Sequence, residues 1–172
     1  MFRKIKLCRE TGFTLIEIMA SLAITALIGL GATVSITQVL NETARNTDYT
    51  TASRNAMNAV YWISRDAQMA QTISGVPGFP QTAELSLAWM DWNNSSHNAT
   101  YSLVNGVLQR SYNVDGQITQ SVIADYINPG VEMTSCISDN GTLILTITSS
   151  VGEGSRIIDV TRVREMTARP QL

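Results

Sequence analysis

The chain has 172 residues, 12 basic and 14 acidic side chains, and a formal net charge of −2, a length that suits one domain plus an appended segment. Its charge is uneven: Arg3, Lys4, Lys6 and Arg9 against Glu10 give residues 1–12 a net of +3, while the remainder is net −5 and has no lysine. A nucleic-acid binder ordinarily carries a basic face on its folded part, so nucleic acid is not an expected partner.

Residues 18–41 contain no charge at all, so an apolar run follows the basic head directly. A secretory signal peptide would have an apolar core of about 7–15 residues closed by a small-residue cleavage site. Here the order is basic head, Thr11-Gly12, and a run from residue 13 to residue 40 with no such site behind it. At about 1.5 Å per residue those 28 residues make a helix roughly 42 Å long, enough to cross a hydrocarbon core of about 30 Å. The basic flank places the N-terminus in the cytoplasm and everything after residue 41 on the other side of the cytoplasmic membrane.

The helical pattern continues past the apolar run. Residues 41–73 hold neither glycine nor proline, and Tyr49, Ala52, Ala56, Val60, Ile63, Ala67 and Ala70 recur three or four apart. The opposite face carries Asn46, Arg54, Asn58, Arg65, Asp66 and Gln68. These features predict one helix of about 60 residues, from near Phe13 to near Ile73, its first half in the membrane and its amphipathic second half on a folded body. The run Ser74-Gly75-Val76-Pro77-Gly78-Phe79-Pro80 ends it as a loop.

From residue 80 to residue 172 the pattern becomes short alternating runs between turn signals. Expected strands are 84–92, 99–104, 107–112, 117–127, 131–138, 142–149 and 155–165. Turns fall at Asn105-Gly106, Asp115-Gly116, Asp139-Asn140-Gly141 and 152–154. Short loops imply mostly antiparallel pairing. The fold class is therefore α+β: a long N-terminal helix laid on a mostly antiparallel sheet of five to seven strands.

Chemistry-bearing patterns are sparse. His97 is the sole histidine and sits in an Asn/Ser-rich stretch that suggests an exposed turn rather than a catalytic base. Asp91 and Asp125 could share a pocket, though isolated acids at strand ends are usually solvated. No phosphate-binding glycine loop and no Cys-x-x-Cys pair occurs, so no cofactor or metal is expected. Asn41, Asn93, Asn94, Asn98 and Asn140 match Asn-x-Ser/Thr by composition alone. Trp89, Trp92 and Tyr101 could form a stacking platform; Trp89 shares a strand face with Leu85 and Leu87, which favours the core, and Trp92 is left as a contact candidate. Cys8 and Cys136 lie on opposite sides of the apolar run, and Cys136 is expected as a small buried thiol.

The segment GFTLIEIM, after a short basic leader and ahead of the long apolar helix, resembles the N-terminal cleavage and methylation segment of type IV pilins and type II secretion pseudopilins. The resemblance implies that residues 1–12 are a leader cut between Gly12 and Phe13 by a prepilin peptidase. The same enzyme would methylate the new amine of Phe13, and the retained helix would pack with other pilin or pseudopilin subunits in a filament. It also implies a structural protein rather than an enzyme. YSLVNGVLQR, with Tyr101, Leu103, Gly106, Leu108 and Arg110, and the helix ending ISRDAQMAQTI are similar to minor pilins related to the J-type pseudopilin. A filament-tip adhesin or DNA-uptake subunit of the same family is the alternative, and would call for Arg110, Arg156, Arg162 and Arg164 on one patch. The machine served, whether pilus, secretion or competence system, stays open.

Glu17 is the one charge inside the start of the apolar run. A helix N-terminus favours a carboxylate, and a new ammonium on Phe13 would stand four residues before it. In a filament the amine of a neighbouring subunit could be its partner, which makes Glu17 an expected assembly contact.

Overall fold

The fold is that of a computed structural model, which describes residues 12–139 and 142–167. The leader residues 1–11, Cys8 and the Asn140-Gly141 turn lie outside them. The chain divides after Thr43 into two units, and one helix, α1 (Leu15–Met69), contributes to both.

In the first unit every described residue is exposed, with no protein packed against the apolar run. Its most apolar 18-residue window has a mean hydropathy of 2.0 and none of it is buried. By length and composition such a helix can cross a membrane. The hydroxyls within the run turn back on the helix: Thr25 Oγ1 donates to the Ser21 carbonyl (2.8 Å), Thr33 to Gly29 (2.9 Å) and Ser35 to Gly31 (2.9 Å). Each of these hydroxyls therefore carries its own partner, as an apolar surround requires.

In the second unit the remainder of α1 lies on two antiparallel sheets. The first has the order β1 (Thr72–Ser74), β2 (Leu85–Met90), β3 (Ser96–Val104), β4 (Val107–Val114), β5 (Gln117–Ala124). The second is β6 (Ser135–Asp139), β7 (Thr142–Val151), β8 (Ile158–Thr167). The single sheet of five to seven strands thus becomes eight strands in two sheets among the described residues. The linker 125–134, with Pro129 and Gly130, cannot continue the β5 ladder. It crosses to the second sheet through the bridge between Ile127 and Ser149 and the bond from Asn128 N–H to the Thr148 carbonyl (2.9 Å).

Ala52, Ala56, Ala59, Val60, Ile63 and Ala67 form the buried apolar stripe of α1, and Ala70, just past its end, is buried with them. Against them lie Leu85, Leu87, Ala99, Tyr101, Leu108, Leu143, Leu145 and Ile147. Burying one side chain such as Ile63 contributes about 1.5–3 kcal/mol. Tyr49, expected on this stripe, is exposed, and Asp66, expected on the solvent face, is buried at 1% exposure. The helix also ends at Met69 rather than near Ile73. Gln71 N–H pairs with the Ala88 carbonyl (2.9 Å), and the β-branched Thr72 and Ile73 join the sheet as β1. Gly75 then reverses the chain at φ +83°, where a Cβ would stand 1.8 Å from the Glu84 carbonyl oxygen. The Asn105-Gly106 and Asp115-Gly116 hairpins form as expected, Asn105 and Asp115 taking φ +51° and +49°.

Candidate functional site

The segment that carries the processing pattern has a defined local geometry. Gly12, Phe13 and Thr14 are non-helical and exposed, and α1 begins at Leu15. Thr14 is the N-cap. Its N–H and its hydroxyl both donate to Glu17 Oε2, at 2.9 and 2.8 Å, and Glu17 N–H donates back to Thr14 Oγ1 at 3.4 Å. This is a reciprocal capping box, satisfying donors that a helix start leaves without intrahelical partners. Thr-Leu-Ile-Glu matches its Ser/Thr-x-x-Glu signature, a signal present in the sequence that the charge argument passed over. Two expectations change. Phe13 precedes the helix, so it shares no helical face with Glu17, and the Glu17 carboxylate already has partners within its own chain. Those partners use one oxygen; Oε1 accepts no bond among the described residues. A Cβ placed on Gly12 meets nothing within 4 Å, so the backbone at this junction is open.

A second cluster fixes α1 to the first sheet. Asp66, from the helix, accepts the Tyr101 hydroxyl at 2.5 Å on Oδ2, which also takes Arg110 Nε at 2.7 Å; Arg110 Nη2 reaches Oδ1 at 3.1 Å. The Arg110 guanidinium lies over the rings of Tyr112 (4.2 Å) and Trp62 (5.3 Å), and Arg65 approaches Trp62 from its own side at 5.5 Å. Burial and the adjacent Asp66 charge push the Tyr101 phenol far up, so it remains a proton donor. For Arg110, burial pulls downward, but the hydrogen bonds and charge of Asp66 outweigh it and hold the guanidinium charged. A permanent cation, its carboxylate and a neutral phenol make a fixed tie between helix and sheet. Tyr101, Leu108 and Arg110, three residues of the minor-pilin-like hairpin pattern, thus meet the core beside Asp66 of the ISRDAQ helix end.

His97 is not in an exposed turn. It lies in β3 with its side chain 15% exposed, stacked on Trp89 (5.4 Å, 5° between planes) and bonded through Nδ1 to the Tyr112 hydroxyl at 2.7 Å. Its Nε2 faces Asp91 Oδ2 at 3.4 Å. Asp91 Oδ1 accepts the N–H groups of Asn93 and Ser95, each at 2.9 Å. The Ser95 N–H, with smaller contributions from His97 and the Asn93 N–H, holds the Asp91 carboxyl below the usual range. The hydroxyl at His97 is a phenol rather than a serine or threonine, and the group braces the β2–β3 turn.

The remaining candidates do not assemble. Trp89 and Tyr101 are buried while Trp92 is 92% exposed, so the three form no common platform. Asp125 lies after β5, where its N–H bonds to Asn55 Oδ1 (3.3 Å), whereas Asp91 is engaged by Asn93, Ser95 and His97. Arg110 is held by Asp66 and Arg162 by Ser53 Oγ (3.1 Å), so the four arginines do not make one free patch. Cys136 is buried, and burial pushes its thiol up to about 12.

Residues 7–33 match the family model of the prokaryotic N-terminal methylation motif. The match spans the end of the basic head, the Gly12–Phe13 junction and much of the apolar run, and it supports a type IV pilin-like family. No curated protein and no solved structure matches the chain.

Proposed function

We propose that the chain is a minor pilin or pseudopilin, a structural subunit of a type IV pilus-like or type II secretion filament. One observation carries the reading: a methylation motif runs directly into a helix segment that is apolar on all sides and buried nowhere. A membrane-anchored precursor accounts for both, because lipid first and neighbouring helices later can cover that surface.

In this reading a prepilin peptidase removes residues 1–12 and methylates Phe13, with the basic head in the cytoplasm and the sheets outside. Glu17 Oε1 then meets the terminal ammonium of a neighbouring subunit while Oε2 keeps the cap. The convergence of Tyr101 and Arg110 on Asp66 supports the minor-subunit assignment near the J-type pseudopilin. No observation favours the DNA-uptake alternative.

The test is Gly12→Val in the expressing cell. Since a side chain there meets nothing within 4 Å, folding is expected to be unaffected. Mass spectrometry should find uncut precursor retained in the membrane, against a native product beginning with methylated Phe13. Normal cleavage of the variant would remove the assigned site.

A further inference from the structure

A cavity of about 530 Å³ lies between the two sheets of the second unit. Residues 73–76 line one side and residues 135–138 the other, with Phe79 and Val131. Successive side chains of a strand point to opposite faces. A cavity that meets every successive residue from 135 to 138 therefore faces the strand's edge. The sheet order agrees: β1 pairs only with β2 and β6 only with β7, so each is a terminal strand. Beyond those ladders, no hydrogen bond among the described residues engages the main chain of residues 72–74 or 135–138, and the turn at residues 76–78 lies close to β6. The floor is apolar, with Val76, Phe79 and Cys136 buried, and Val131 and Ile137 are more than half exposed at the mouth.

Unpaired main-chain donors and acceptors on two strand edges beside an apolar floor specify an extended polypeptide, which alone offers both alternating N–H and C=O groups and side chains for the floor. Charge narrows the partner. The lining holds no charged residue, and the charged residues that flank it are acidic: Glu84, whose carbonyl lies against Gly75, and Glu132 beside Val131, both exposed, and in sequence Asp139 after Ser138. A second copy would bring a second unit of net −3, eight basic against eleven acidic side chains, to this acid-flanked groove. We propose that the groove between β1 and β6 binds an extended segment of another protein, apolar at alternate positions and flanked by lysine or arginine. The proposal rests on the second unit and is independent of processing at Gly12.

The test uses the full chain in detergent micelles and a fluorescein-labelled peptide, Lys-Thr-Val-Thr-Val-Thr-Val-Lys. Fluorescence anisotropy should show saturable binding, weakened at least tenfold by Ile137→Arg or Val131→Arg, both at exposed positions, and unchanged by Val163→Arg on β8. Replacing both peptide lysines with glutamate should weaken binding at least tenfold as well. Hydrogen exchange should slow at residues 72–74 and 135–138 when peptide is added. Absence of saturable binding, equal binding by Ile137→Arg, or protection confined to β5 or β8 would overturn the proposal. So would self-association of the native chain that Ile137→Arg abolishes, which would assign the groove to a second copy.

Discussion

Removing one partner of a buried ion pair leaves the other charge uncompensated, and Asp66 is such a charge, 1% exposed and bonded to two donors. Arg110→Ala is therefore expected to cost about 3–5 kcal/mol, and Tyr101→Phe about 1–3 kcal/mol for one lost donor. Urea denaturation of the detergent-solubilised chain, followed by tryptophan fluorescence, measures both. Two buried acids set a pH response. Burial raises the Tyr101 phenol and the Cys136 thiol, the latter to about 12. Each then loses its proton more readily in the unfolded chain, so its contribution is intact below the unfolded value and is lost as pH rises above it. Urea midpoints should hold to about pH 8.5 and fall beyond it, the thiol acting first and the phenol from about pH 10. Cys136→Ala should start lower and fall less between those values; an equal fall would refute the thiol's part.

At the scale of the element, α1 carries two unlike surfaces, exposed and apolar before residue 44 and partly buried after it. Thr14 and Glu17 cap the helix reciprocally, so a loss of function on changing Glu17 has two explanations that single variants can separate. Glu17→Gln keeps a cap acceptor and removes the charge; Thr14→Ala keeps the charge and weakens the cap. If Glu17 is an assembly contact, Glu17→Gln should be cleaved normally yet yield little sheared filament, while Thr14→Ala assembles nearly as the native chain does. Equal defects in both would assign the residue to capping. The far end of the helix illustrates how tertiary pairing overrides a run of helix formers. Residues 70–73 break no helical rule in isolation, but the Ala88 carbonyl and the β2 edge recruit Gln71 and β1 into the sheet.

At the scale of the whole molecule, the second unit keeps its contacts local. Hairpins link β2 through β5 and β6 through β8, and long-range closure rests on α1, the 125–134 linker and the Asp66 cluster. Two separate sheets leave four terminal strands, of which β1 and β6 face one cavity. An open edge is a liability unless something covers it, which is the physical ground for the peptide-binding test above.

Local rules determined much of this protein from sequence alone. The apolar run, the basic head and the FTLIE segment are contiguous in the chain, so a helix long and apolar enough to cross a membrane and the methylation motif were legible without a fold. Hairpin turns were legible for the same reason, since Asn-Gly and Asp-Gly act over two residues. What only the tertiary structure decided depends on partners distant in sequence. Asp66 looked like a solvated helix residue because its compensation, Tyr101 and Arg110, comes from strands 35 and 44 residues away. His97 looked like a turn residue because Trp89 and Tyr112 flank it only after β2, β3 and β4 pair. The division into two sheets, with the groove between them, likewise follows from long-range pairing that no local pattern encodes. Glu17 belongs to the first group: its cap with Thr14 was written in four consecutive residues.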